Sequence, residues 1–288
     1  MSRNDMLSGY LQRLRLSAEP PSAAALFRLH RAHVDRVPYE TTWIHLGESW
    51  SVDVEAALER IVQHGRGGYC FHLNGSFAQL LTQLGYDVSL HVGGVHRGEP
   101  ATGDMTNHLV LLVDGLPTDD NPTGRWYVDA GLGDALREPL PLIAGTYRQQ
   151  PLQFVLAETP GGVGDWHLAH DPLGSFAGMS FQLREASLAD FASRHQHLST
   201  SAESGFVRTV SVQRRQSNKV AAVRALTHTV RTDSGVATRV VRDRSEWFAL
   251  LADDFLLNLS GVDRSALDRL WDSANAAHQA FSERLPQS

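Results

Sequence analysis

The chain has 288 residues, 42% hydrophobic and 20% charged, with a formal net charge of −6. That length predicts two or three folded units, and a pI near 6.1 leaves no basic footprint for a nucleic acid. A single cysteine excludes an internal disulfide or a cysteine-rich zinc site, no run approaches the roughly 20 apolar residues of a membrane span, and Met1–Asp5 has no apolar leader core, so a reduced, cytoplasmic protein is expected.

Met6, Tyr10, Leu11 and Leu14 recur at helical spacing behind Asp5, which is placed to cap that helix. Pro20-Pro21 breaks the run, and Ser22 is placed to cap a second helix with Ala25, Leu26 and Leu29 on one side. That helix must stop before Pro38, because the residue ahead of a proline is driven out of the α region. A third helix is predicted from about Asp53, with Val54, Leu58, Ile61 and Val62 inward and Gly65 closing it. In a fourth, Leu73, Phe77, Leu80, Leu81 and Leu84 mark one face and Gly85 stands at the stop. Residues 1–85 therefore read as a helical bundle.

The period then changes to two. Tyr86, Val88, Leu90 and Val92 alternate with polar residues until Gly93-Gly94 interrupts them, and Leu109–Val113 is a short buried strand ending at the Asp114-Gly115 turn. Trp126-Tyr127-Val128 is another, and strand-like runs follow at Gln153–Ala157, Ser180–Leu183, Phe206–Arg214 and Val236–Val241. Residues 86 to about 200 read as a mostly antiparallel sheet or barrel. Helix returns around Trp247, Phe248 and Leu251, then Leu267, Leu270 and Trp271, with Phe281 further on.

The lone Cys70 follows Gly67-Gly68-Tyr69 and opens the fourth helix, where unpaired N–H groups and the macrodipole favour a thiolate. A nucleophilic cysteine needs a base and a group to orient that base. His108 stands at the mouth of one strand and Asp129 at the end of another, positions that hold geometry better than loops do. Each also fits a plainer role: a small buried hydrophobe, a strand-edge histidine, a turn former. Among the other 13 of the 14 histidines, His30 and His33 are three apart on a helix but lack a third ligand, so no metal is expected. His195 and His197 are surface residues or substrate contacts, and His72 stands two residues from the thiol.

The string Arg66-Gly67-Gly68-Tyr69-Cys70-Phe71, the pair Asn107-His108 and the string Val128-Asp129-Ala130-Gly131-Leu132-Gly133 resemble the arylamine N-acetyltransferase family. Leu29–His33 leading into Val37-Pro38-Tyr39-Glu40, Arg137–Leu140, Ser199-Thr200-Ser201 and Ser204–Val207 extend the resemblance over about residues 5 to 260. It implies an α+β fold with a cysteine-proteinase or transglutaminase-like catalytic core. Its parts are a helical bundle (1–85) carrying Cys70, an antiparallel β-barrel (86–200) carrying His108 and Asp129, and an α/β lid (201–288). It further implies a Cys70–His108–Asp129 triad, with an oxyanion held by backbone N–H groups near Cys70 and Phe71. Acetyl passes by a ping-pong route from acetyl-CoA, a co-substrate and not a bound cofactor, to an arylamine or arylhydrazine, the chemistry of xenobiotic metabolism. Tyr39, Phe71, Asn107 and Leu132 are the expected substrate contacts, Glu40 and Arg66 a supporting ion pair, and Arg97, Arg208, Arg214 and Arg215 candidates for the CoA phosphates. His72 replaces the family's usual glutamate, Thr41 its asparagine and Leu132 its phenylalanine. These departures keep open an amide synthase that releases a polyketide chain, a transglutaminase-like cysteine hydrolase, and an inactive relative.

Overall fold

The structure is a computed structural model that describes residues 3–283. Its first third is helical: α1 (Arg3–Leu14), α2 (Ala23–Arg36), the two-residue strand β1 (Tyr39–Glu40), the short α3 (Thr42–Leu46), α4 (Val54–Gln63) and α5 (Cys70–Gln83). Ser22 Oγ accepts from the Ala25 N–H at 3.2 Å and Asp53 Oδ1 from the Ala56 N–H at 2.8 Å, so each side chain satisfies an orphan donor at the start of α2 and α4. Asp5 lies within the first turn of α1, not ahead of it, and is no N-cap. Gly85 follows α5 with φ +91°, a left-handed stop.

The leucines of α5 pack against Leu26, Leu29, Leu58 and Ile61. The helix is buried beyond that face, however, because the first strands of the large sheet cover its other side. An amphipathic helix on the sequence is therefore the central helix of the fold.

Eight antiparallel strands follow in that sheet: β2 (Asp87–His96), β3 (His108–Asp114), β4 (Trp126–Val128), β5 (Leu140–Pro141), β6 (Gly145–Gln149), β7 (Leu152–Glu158), β8 (Trp166–Ala169) and β9 (Gly178–Glu185). Their spatial order is β5-β4-β3-β2-β9-β8-β7-β6, a barrel-like sheet whose edges, β5 and β6, are adjacent in the chain but unpaired. Gly93-Gly94 does not end β2. The strand shifts register between His91 and Gly93 and continues to His96. A Cβ at Gly93 would stand 2.9 Å from Val110 Cγ2 and one at Gly94 2.9 Å from the Asp104 carbonyl carbon, so the pair marks close approach.

The chain continues through α6 (Ala192–Thr200) and α7 (Gly205–Arg208) to a second antiparallel sheet. This contains β10 (Ser211–Arg215), β11 (Lys219–Arg224), β12 (Thr227–Thr232) and β13 (Gly235–Val240), before α8 (Arg244–Asp253) and α9 (Arg264–Ser282). The strand expected over Phe206–Arg214 starts only at Ser211. Ser204 Oγ accepts from the Phe206 N–H and caps α7 instead. The edge of this sheet is β1, with Tyr39 opposite Gln213. We propose 1–85, 86–200 and 201–288 as a description of three parts of one fold, since the second sheet borrows a strand from the first part. No helix of the described residues is long and apolar enough to cross a membrane.

His30 and His33 sit inside the bundle. His30 Nδ1 donates to the Arg137 carbonyl at 2.9 Å, and His33 Nδ1 meets the Tyr10 hydroxyl at 2.9 Å. Burial, then the charges of His30 and Arg13, lower the His33 imidazole from 6.5 to about 3. The unfolded chain therefore takes up this proton first. The stabilisation is complete above pH 6.5 and drains away as pH falls from there toward 3. Between pH 6.5 and 5 the loss from this group is about 2 kcal/mol. Urea unfolding at both pH values should show it in the wild type but not in His33→Gln, which keeps a partner for Tyr10 and cannot titrate.

Candidate active site

Cys70 is the first residue of α5, 4% exposed, with Tyr69 at the N-cap in extended conformation. The N–H groups of Cys70 and Phe71 lie in the first turn, where no helical acceptor exists for them. The thiol lies 3.6 Å from the Asn107 carbonyl oxygen.

Antiparallel pairing of β3 with β4, Leu111 opposite Val128, brings His108 at the start of one beside Asp129 at the end of the other. His108 Nε2 lies 2.7 Å from Asp129 Oδ2, and the imidazole also hydrogen-bonds Cys70, which leaves Nδ1 for the thiol. Burial opposes a charge on this ring, but the Asp129 carboxylate and then Cys70 outweigh it and push His108 up to about 10. It therefore holds its proton at neutral pH.

Asp129 is itself 1% exposed. Its Oδ2 also accepts from the Tyr127 hydroxyl at 2.9 Å, while Oδ1 accepts from Asn74 Nδ2 at 2.8 Å and the Gly131 N–H at 3.0 Å. Asn74 further donates to the Leu109 carbonyl at 2.6 Å and accepts from the Ala130 N–H at 2.9 Å. One amide thus ties α5 to β3 and to the turn after β4. Gly131 passes so close that a Cβ there would lie 2.8 Å from Cys70 Cα.

Behind the thiol, Arg66 Nε pairs with Glu40 Oε1 at 3.3 Å, both buried, and its other nitrogens reach Glu48 Oε1 at 3.3 Å and the Thr42 hydroxyl at 3.1 Å. Glu40 N–H donates to the Gly68 carbonyl at 2.9 Å, joining this network to the glycine turn. A Cβ at Gly67 would stand 1.8 Å from the Pro38 carbonyl oxygen, so only glycine fits.

A cavity of about 440 Å³ opens onto Cys70 and His108, and Tyr39, Asn107 and Leu132 line it. The Asn107 side chain is engaged with the Val95 backbone, Oδ1 accepting at 2.8 Å and Nδ2 donating at 2.9 Å, so it is the main chain of this residue that faces the thiol. Phe71 is not in the wall. It is fully buried against Phe191 and Tyr69, which corrects the expectation that it touches substrate. Of the four arginines only Arg97 lines the cavity. Arg208 lies outside its wall, in the last turn of α7. Arg214 is held by Asp35 and Asp254, and the buried Arg215 by the carbonyls of Ala135, Gln149 and Gln150.

His72 turns away from the thiol. Two residues on from Cys70 is about 200° around a helix, and the imidazole lies among Trp43, Trp50, Tyr69 and His195. Its Nε2 donates to the Ser51 carbonyl at 3.1 Å, and burial, then Arg60 and His195, hold it neutral, well below the usual imidazole range. His195 is likewise buried, its Nδ1 meeting the Tyr69 hydroxyl and its Nε2 the Trp50 carbonyl, both at 2.6 Å, while His197 is exposed. Among the described residues no group of three or more His, Cys, Asp or Glu is placed to hold a metal ion.

Asn74, Tyr127 and Arg224 did not emerge from the sequence. An Asn inside a helix, four residues after the cysteine and hence on the same face, was the available signal for Asn74. Arg224 joins Arg97 at the cavity, and among the described residues neither has an ion pair.

A sequence-family model described as N-acetyltransferase matches residues 22–264. The arylamine N-acetyltransferase / N-hydroxyarylamine O-acetyltransferase of Salmonella typhimurium is 36% identical over 141 residues, 48% of each chain. Proansamycin X synthase of Amycolatopsis mediterranei is 32% identical over 160 residues, 53% of this chain and 58% of that one. These matches span only about half the length of either relative. The fold of the Mycobacterium marinum arylamine N-acetyltransferase, solved in complex with CoA, superposes with a TM-score of 0.81 over 94% of this chain and 99% of that one, at 24% identity.

Removing the Asn74 amide strands the Leu109 carbonyl, the Ala130 N–H and one bond to Asp129. Asn74→Ala should lower unfolding free energy by about 2–4 kcal/mol, and Tyr127→Phe, which removes one donor, by about 1 kcal/mol. Equal losses in urea titrations of the two variants would show that Asn74 does not organise the site.

Proposed function

The chain belongs to the arylamine N-acetyltransferase family, and on that premise we propose that it moves an acyl group from a thioester to an amine through Cys70. The observation that carries this reading is the contact chain Cys70–His108–Asp129 at a cavity of about 440 Å³. With His108 protonated, Cys70 stands as the thiolate of an ion pair. The thiolate attacks the thioester carbonyl carbon, and the N–H groups of Cys70 and Phe71 receive the oxyanion. Collapse breaks the carbon–sulfur bond to CoA, the leaving thiolate takes the His108 proton, and an acyl-cysteine remains. In the second half an amine attacks that carbonyl, His108 accepts the amine's proton, and the amide leaves as Cys70 returns to thiolate.

CoA occupies the related mycobacterial structure, which supports acetyl-CoA as the donor here. Arg97 and Arg224, which have no ion pair among the described residues, are placed for its phosphates. Tyr39 and Leu132 supply flat and aliphatic surface for an aryl acceptor. A second reading, an amide synthase, is favoured by the identity to proansamycin X synthase and by Leu132, where the family carries a phenylalanine.

Incubation with acetyl-CoA followed by mass spectrometry should show one acetyl group on the wild type and none on Cys70→Ser. Release of acetate at a rate that arylamines do not change would replace the transferase by a hydrolase. Acylation only by longer thioesters would favour the amide synthase.

The ion pair has its own signature. The rate of Cys70 alkylation by iodoacetamide should change less between about pH 6 and 9 in the wild type than in His108→Gln, because His108 holds its proton up to about 10. In His108→Gln it should rise with pH as a free thiol does, around pH 8.5. A wild-type profile that climbs like the variant's rules out the pair.

A further inference from the structure

The loop between β8 and β9, residues 170–177, carries Ser175 and Phe176 into the cavity wall. It is held from beneath by Asp134, which is fully buried five residues beyond Asp129. Asp134 Oδ2 accepts from the Ser175 N–H at 2.8 Å and Oδ1 from its hydroxyl at 2.9 Å. Its nearest ionisable partner, His170 Nε2, lies at 3.7 Å without a hydrogen bond. The His170 ring stands edge-on to Phe176, centroids 4.3 Å apart, and to Phe154 at 5.2 Å. Gly174 is folded so tightly over it that a Cβ would lie 2.1 Å from Nδ1. The loop's end is fastened by the Ala177 N–H donating to the His96 carbonyl at 2.9 Å.

A buried carboxylate that accepts both donors of one serine and, among the described residues, forms no arginine or lysine ion pair is a costly way to stabilise a surface hairpin. What it achieves is position. The same short segment that carries Asp129, Gly131 and Leu132 also carries the acid that fixes Phe176, so the far wall of the cavity is referenced to the triad. We infer that Phe176 is a specificity-determining residue that limits the width of the acceptor's ring system, and that Asp134, through Ser175, is the positioning residue that holds it there. Single-ring acceptors are thereby favoured over fused polycyclic ones.

This inference rests on the acyl-transfer reading, and the two half-reactions separate them. Acylation of Cys70 by acetyl-CoA and transfer to hydrazine, 4-methylaniline and 2-aminofluorene would be measured for the wild type, Phe176→Ala, Phe176→Leu, Ser175→Ala and Asp134→Ala, with a thermal melt for each. Acylation and transfer to hydrazine, which has no ring, should change far less in the Phe176 variants than transfer to 2-aminofluorene does. In Phe176→Ala the ratio of kcat/KM for 2-aminofluorene to that for 4-methylaniline should rise about tenfold or more, the discrimination an apolar pocket supplies per missing group. Phe176→Leu should fall between, and it serves if the alanine variant does not fold. Ser175→Ala and Asp134→Ala should shift the ratio in the same direction by less. A ratio unmoved in both folded Phe176 variants overturns the role of Phe176. A ratio that moves there but not in the Ser175 or Asp134 variants overturns the positioning role. Failure of the wild type to become acylated overturns the underlying reading instead.

Discussion

The carboxylate of Asp129 lies out of solvent and accepts from His108, Tyr127, Asn74 and the Gly131 N–H. A bare carboxylate in that place would not stay ionised, because transfer of a charge from water is costly unless hydrogen bonds replace the hydration it loses. The donors come from the start of β3, from β4, from α5 and from the turn that follows. The charge is therefore satisfied only when the helical part and the sheet have docked. The same docking delivers Gly131 against Cys70 and sets His108 between acid and thiol. Stability and the proposed chemistry thus draw on one set of contacts, which spans the division near residue 85.

The cavity above this centre is assembled from distant stretches. Tyr39 comes from a strand that leaves the helical part to edge the second sheet. Leu132 and Phe176 come from the barrel-like sheet, and Phe206 and Arg224 come from beyond residue 200. On the proposed ping-pong route such a space serves twice, because the thioester's leaving group departs before the amine arrives. Donor and acceptor can then share walls without having to fit together. Arg97, just past β2, and Arg224, at the end of β11, suit the phosphates of the first occupant, and the aromatic and aliphatic residues suit the second.

Legibility in the sequence followed the range of the interactions involved. The caps and periodicity of α2, α4 and α5 are local, and Ser22, Asp53 and Gly85 do what their chemistry predicts. The strands β2, β3 and β4 were visible through alternation or a short apolar run. The stretch Lys219–Arg224 was not, being buried on both faces and flanked by similar strands, and Leu140–Pro141 is too short to show a period. Within the site, Cys70, His108 and Asp129 each stand at the end of an element and inside a recognisable string. Arg224 and Phe176 share no such string with the cysteine and are placed by tertiary packing alone. The misplacement of Phe71 has a local cause. An aromatic residue beside a nucleophile suggests a pocket wall, but the helix turns Phe71 about 100° away, into the contact with Phe191.

The same rotation changes the meaning of His72. Where the family has an acid, this chain places a neutral imidazole that donates to the Ser51 carbonyl, and His195 donates to the adjoining Trp50 carbonyl. A carboxylate could not make the first of these bonds, because it only accepts. The segment at 50–51 is therefore wired for donors, with Arg60 over the Trp50 ring at 4.1 Å and Arg66 at 5.1 Å. In this setting a second cation is resisted, which agrees with the direction in which both histidines are shifted. The cluster leaves no base next to the thiol despite the two-residue spacing. What it fixes is Tyr69, whose hydroxyl is bound by His195 and whose backbone opens the helix that Cys70 begins. The imidazole that reaches the thiol is then His108, and the aromatic cluster serves to hold the helix start that Cys70 occupies.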